Sequence, residues 1–234
     1  MTAKHLRKIL RDLADPVVAE HSQRFFKTGK GEYGEGDKFL GIRVPVLRQQ
    51  TKKYADIALS EVTVLLRSPF HEERLCALLL LVRKFSKGNE KDKAGIYNLY
   101  LKNTRYINNW DLVDSSAYQI VGAFLEDRDK QILFELAKSD SLWERRIAII
   151  STYQFINKNR FTETLAVSKL LMNDEEDLIH KAVGWMLREV GNRDVAVEKD
   201  FLKIHYRKMP RTMLRYAIEK FSDRERKRYL EGTV

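Results

Sequence analysis

The sequence predicts an all-α chain built of stacked helical pairs, and three observations carry that reading. Only four prolines and eleven glycines occur in 234 residues. They concentrate near the N-terminus, which leaves the rest free to run as helix after helix. No stretch alternates apolar and polar residues for long enough to build a sheet. The third observation is a repeat: a basic residue followed two places later by a small or branched one, in Arg74 with Cys76, Arg146 with Ala148, Lys181 with Val183 and Arg215 with Ala217, while Asp114 and Ser116 fill the remaining register. The spacings of 40, 32, 35 and 34 residues fall in the range of helical-pair repeats, which cannot bury their apolar faces alone and must stack.

Helices are expected over 4–14, 16–28, 45–55, 60–67, 71–86, 90–102, 109–124, 128–138, 142–157, 161–172, 176–190, 195–207 and 210–221. Asp15 followed by Pro16 puts an aspartate at an N-cap and a proline at the first helical position, the order in which each is favoured. Ser68-Pro69 and Met209-Pro210 separate two further pairs of helices, and Gly191-Asn192 is expected to end another. The stretch Gly29-Lys30-Gly31-Glu32-Tyr33-Gly34-Glu35-Gly36 contains the letters G-x-G-x-x-G. That motif binds a dinucleotide only between a strand and a helix. Here a helix precedes it, and Glu32 and Glu35 would repel phosphate, so a connecting loop is expected. A repeat array counts as one unit, so residues 1–234 are expected to form a single domain.

Lys and Arg number 43 against 33 Asp and Glu, giving a net charge of +10 and a pI near 9.5. This points to a polyanionic partner, nucleic acid before membrane. Cys76 is the only cysteine, so neither an intrachain disulfide nor a cysteine zinc cage is possible, and a buried core position is expected for it. The apolar run from Leu75 to Val82 is too short to span a bilayer. Met1 to Arg11 lacks the apolar stretch and cleavage site of a secretion signal, so the expected location is the cytoplasm. The five histidines, His5, His21, His71, His180 and His205, are scattered without an i,i+4 pair, so no metal and no cofactor is expected.

Stacking would align the repeated basic positions along one face, with Asp114 as the single acid among them. Trp110 and Asp114 stand at i and i+4 and share a helix face, whereas Asp111 points elsewhere and is expected to matter less. Trp185 stands four residues after Lys181, on the side of the basic row. Two indoles and one carboxylate are thus expected to meet in one groove. Arg48, Arg74, Arg146, Lys181, Arg188 and Arg215 are the candidates for a phosphate track.

Four segments, Phe39-Leu40-Gly41-Ile42-Arg43-Val44-Pro45 through Arg48, Trp110-Asp111-Leu112-Val113-Asp114, Trp143-Glu144-Arg145-Arg146-Ile147-Ala148, and Lys181-Ala182-Val183-Gly184-Trp185-Met186-Leu187-Arg188-Glu189, resemble the AlkD family of DNA alkylation-repair glycosylases. The resemblance implies a curved solenoid of HEAT-like repeats with a basic concave groove for double-stranded DNA carrying alkylated purines. It also implies hydrolysis of the N-glycosidic bond of N3- or N7-alkylated purines by a monomer, without metal or cofactor. By the same resemblance Trp110, Asp114 and Trp185 map onto the catalytic cleft and Arg146 onto a DNA-contacting position. Two departures stand out: Phe25 falls where relatives commonly carry a tyrosine at the DNA, and Asn109 replaces a second tryptophan before Trp110. The alternative is a nucleic-acid-binding scaffold that kept the groove and lost the activity.

Overall fold

The computed structural model describes Met1–Val234. It is all-helical, its only β pairing an isolated parallel bridge between Lys38 and Phe70. The chain forms two compact units, Met1–Ser116 and Ala117–Val234. No helix is long and apolar enough to cross a membrane.

The first unit holds α1 (Ala3–Asp12), α2 (Pro16–Phe25), α3 (Val44–Lys53), α4 (Leu59–Leu66), α5 (His71–Lys87), α6 (Glu90–Leu101) and α7 (Trp110–Asp114). Sequence-coded caps set several starts. Asp15 accepts from the amides of Val17 and Val18 with Pro16 in the first turn, and Asn89 with Asp92 forms a capping box on α6. Helix α5 is buried nearly all round and packs against α3, α4, α6 and α7. Its Leu78, Leu80 and Leu81 are wholly covered, each contributing about 1.5–3 kcal/mol by leaving water. Truncating one of them to alanine would cost about 2–5 kcal/mol.

Two buried carboxylates in the first turn of α5 tie other segments to it. Glu72 accepts from the amides of Leu40 (2.8 Å), Gly41 (2.7 Å) and Ile42 (3.2 Å), and Glu73 pairs with Arg7 Nε at 2.8 Å. Gly41 has φ +82°, and a β-carbon there would overlap the Asp15 carbonyl, so this crossing with the start of α2 requires glycine. In the glycine-rich loop Glu32 and Glu35 accept from the amides of Gly29 and Gly31, each at 2.8 Å. Two of the loop's amides are therefore taken by its own acids.

The second unit holds α8 (Gln131–Leu136), α9 (Leu142–Ser151), α10 (Tyr153–Ile156), α11 (Thr162–Leu170), α12 (Asp177–Arg193), α13 (Val195–His205), α14 (Arg211–Ala217) and α15 (Asp223–Glu231). Here α12 is the hub, touching α9, α10, α11, α13 and α14. The small members of the repeat pattern, Cys76, Ser116, Ala148, Val183 and Ala217, are all 0% exposed, so the register read from the sequence marks core positions.

Beyond shifts of a few residues at helix ends, four features differ from expectation. The helix expected over 109–124 is regular only for Trp110–Asp114 and continues as a π-helical turn over Tyr118–Gly122. That over 142–157 breaks at Thr152. At both breaks hydroxyls bond back to helix carbonyls, Ser116 to Leu112 at 2.6 Å, Ser151 to Ile147 at 2.6 Å and Thr152 to Ile149 at 2.7 Å, which competes with the backbone ladder. Gly191 does not end its helix. Asp194 does, by capping α13 through the amides of Ala196 and Val197, and at Gly191 the missing β-carbon leaves room for the buried Glu198 carboxyl. Helix α15 was not expected, since only Tyr229 in it is buried. The Ser222-x-x-Glu225 cap, with Ser222 Oγ accepting from the Glu225 amide, is the signal that marks its start.

Candidate active site

Helix α7 is a single short turn whose start is fixed by Asn109: its side chain accepts from the Trp110 amide at 2.9 Å. Four residues on, Asp114 shares the face of Trp110 and is half-buried. Beneath it Tyr100 is fully buried, with its hydroxyl 2.9 Å from Ser116 Oγ. Burial, reinforced by the Asp114 charge and opposed by the Ser116 bond, raises the Tyr100 pKa well above the ordinary phenol value. The phenol stays neutral and is a donor in the low-dielectric layer below the carboxylate.

Trp110 is seated on aromatic rings. Phe26 stacks on it at 5.2 Å and on Phe39 at 5.1 Å, Phe39 stacks on His71 at 4.5 Å, and Phe25 meets Trp110 edge-on at 5.9 Å. Phe25 is 57% exposed, so it offers an apolar face beside Trp110 where a tyrosine would add a hydroxyl. Behind these rings His71 bridges two acids, Nδ1 to Asp37 Oδ2 at 2.9 Å and Nε2 to Asp111 Oδ2 at 2.8 Å. Burial opposes the imidazolium, but Asp111 and Asp37 outweigh it and push the His71 pKa up to about 9. Burial likewise works against the Asp37 carboxylate, yet His71 and Arg74 hold its pKa below the usual value.

Asp111 points away from the Trp110–Asp114 face, as read, and it also anchors α7 through His71. The expectation for Arg74 is corrected. It is 4% exposed, with Nη2 on Asp37 at 2.7 Å and Nη1 on the Ser68 carbonyl at 3.1 Å, so it is not an open surface contact in a phosphate row. Arg146 is 5% exposed and donates to the Leu178 carbonyl at 2.6 Å, linking α9 to α12. Arg48 lies exposed on α3.

In the second unit Trp185 is half-buried on α12, its Nε1 donating to Glu189 Oε1 at 3.0 Å and its ring 6.2 Å from Tyr153, which meets Tyr118 at 5.2 Å. Lys181, paired with Asp177 at 2.7 Å, and exposed Arg215 line one hollow of about 490 Å³ with Thr212, Tyr216, Glu219 and Arg226. Arg188 pairs with Glu219 and Glu189. The structure thus brings Trp110 together with Phe25, and Lys181 with Arg215. No group of three or more His, Cys, Asp or Glu is placed to hold a metal ion. Sequence reasoning missed Phe26, Phe39, Asp37 and His71, as well as Tyr118 and Tyr153. A search for histidine pairs at helical spacing cannot find partners 34 residues before and 40 after.

Fold and site define first a class, an all-helical repeat protein that presents a carboxylate beside an indole. The family model described as DNA alkylation repair enzyme matches residues 6–221, and the chain belongs to that family of DNA repair enzymes. A solved structure described as a predicted DNA alkylation repair enzyme from Enterococcus faecalis is similar, with a TM-score of 0.69 over 90% of this chain and 97% of that one, at 16% identity. That likeness shows the shared fold. No curated protein matches.

Proposed function

We propose that this protein is a DNA glycosylase that hydrolyses the N-glycosidic bond of cationic N3- or N7-alkylated purines in duplex DNA. The observation that carries the reading is the half-buried Asp114 carboxylate on the same face of α7 as a Trp110 ring locked by stacking. Alkylation of a purine ring nitrogen puts positive charge on the base. The glycosidic bond weakens, and the base departs neutral with little need of an acid. What remains to be stabilised is a cationic sugar. Asp114 supplies the opposing charge and orients the attacking water, while the indoles of Trp110 and Trp185 attract electron-poor groups by about 0.5–2 kcal/mol each. Phe25 adds an apolar wall. Arg48, Lys181, Arg188 and Arg215 are the proposed phosphate contacts, in keeping with the net charge of +10.

The test is release of 7-methylguanine and 3-methyladenine from methylated duplex, with and without chelator. Single-turnover release that is indifferent to chelator is expected. Tight duplex binding with no base released from any alkylated substrate would overturn the reading and leave a non-catalytic scaffold.

A further inference from the structure

Ahead of α7 in the first unit, Arg67, Arg74, Arg105, Tyr106 and Asn108 line a hollow of about 300 Å³ together with Glu35 and Asp37. Two of its three guanidinium groups are exposed and paired with no carboxylate. Arg67 Nε donates to Asn103 Oδ1 at 3.1 Å and its guanidinium lies 5.9 Å from the Tyr106 ring centre. Arg105 Nη2 donates to the Tyr106 hydroxyl at 2.7 Å, with its guanidinium 4.7 Å from the same ring. Arg74 forms the buried base of the hollow, and its Nε is buried without a hydrogen-bond partner. The two acids are already engaged. Asp37 faces His71 and Arg74, and Glu35 accepts from the Gly31 amide at 2.8 Å.

This arrangement selects for an anion. Three forked cations line one small space, and the two carboxylates beside them already accept from internal donors, so the N–H groups that Arg67 and Arg105 leave unused are open to an anionic ligand. A nucleobase is a poorer occupant, because Arg105 already overlies the Tyr106 ring that would have to stack on it. A tetrahedral oxyanion matches the fork geometry of the donors, and the hollow admits it with room for the strand that carries it. We propose that this hollow grips a phosphate group of the DNA backbone, a reading that rests on the DNA-acting function above and places an anchor on the strand just before α7. Asn108 is two residues from Trp110, so a strand held here is fixed relative to the indole by the chain itself. Arg74, removed from the open row by its burial, regains a part as the floor of the pocket, where Asp37 fixes its fork in place.

The experiment measures binding of undamaged duplex by fluorescence anisotropy over a salt series, which needs no excision. The Arg67→Gln/Arg105→Gln variant should bind more weakly and give a log–log salt slope shallower by about 1.8, from two contacts of about 0.9 each. The Lys4→Gln/Lys8→Gln variant, which loses the same charge from exposed positions on α1, should keep the wild-type slope. Arg105→Glu alone guards against a folding artefact, since its side chain is exposed; it should weaken binding while leaving the thermal midpoint unchanged. An unchanged slope in the double variant would overturn the proposal. So would inorganic phosphate broadening in ³¹P spectra that the double variant abolishes while duplex binding is untouched, because the hollow would then serve free phosphate. If wild type bound no duplex at any salt, the DNA reading itself would fall, a result separate from loss confined to the variant.

Discussion

Buried His71 and partly exposed Asp111 pair across 2.8 Å and tie the first turn of α5 to the first turn of α7. The link makes the placement of Trp110 and Asp114 depend on a protonated imidazole. A five-residue helix is far too short to hold itself in water, so its orientation has to come from such anchors and from the rings stacked beneath Trp110.

The pair should give the protein a distinctive pH dependence. The folded-state pKa of His71, about 9, lies above its ordinary value of 6.5. The stabilisation is then complete below pH 6.5 and disappears as pH rises through 9. Removing one partner of a fully buried pair costs about 3–5 kcal/mol; the partial exposure of Asp111 lowers that figure, and for a chain of this size each kcal/mol corresponds to about 2–4 °C of Tm. His71→Gln and Asp111→Asn should therefore lower Tm markedly at pH 6 and little at pH 10. An equal loss at both pH values would show that the imidazole is neutral in the folded protein.

Asp114→Asn preserves the shape of the side chain and removes its charge. The single-turnover excision rate should fall by two or more powers of ten, since one preorganised electrostatic group is typically worth about 3–4 kcal/mol. Duplex affinity should stay level or rise, because the carboxylate repels phosphate before the sugar gains its charge. Glu20→Gln on exposed α2, where the acid only meets Arg24 at 3.6 Å, is the control and should leave the rate alone. Excision by Asp114→Asn at the wild-type rate would remove the carboxylate from the mechanism.

Glu198 offers a third measurement. Its carboxyl is 2% exposed, with Oε1 lacking a hydrogen-bond partner. Burial raises its pKa to about 8 against the pull of Lys199 and Arg188. The folded state holds a proton that the unfolded chain releases near 4.5, so stability declines as pH climbs from 4.5 to 8 and then levels. Glu198→Gln should match wild type near pH 5 and become progressively more stable than it toward pH 9. A Tm difference that does not change with pH would place the charge in water.

Much of the fold was legible because local rules and packing agree. Asp15-Pro16 starts α2, Ser68-Pro69 and Met209-Pro210 sit between helices, and the small residues of the repeat register all fall in the core. The breaks at Ser116 and Thr152 were not legible, since the apolar pattern runs straight through them and only hydroxyl-to-carbonyl bonds interrupt the ladder. At the site, the shared face of Trp110 and Asp114 followed from spacing alone. The distinction between Arg74 and Arg215 did not. Both occupy the same register, but one has Asp37 above it and the other has solvent. Pairings of that kind, like Asp37 with His71, link residues far apart in sequence and leave no periodic trace.

The three amides that converge on Glu72 belong to a segment with no regular secondary structure, yet they are closed off by a carboxylate rooted in the most buried helix of the first unit. The amides of Leu40, Gly41 and Ile42 stay hydrogen-bonded until the first turn of α5 lets go. In deuterated buffer this irregular linker should therefore exchange its hydrogens on the slow timescale of that helix, so that a stretch resembling a surface loop in sequence belongs kinetically to the part of the unit that opens last.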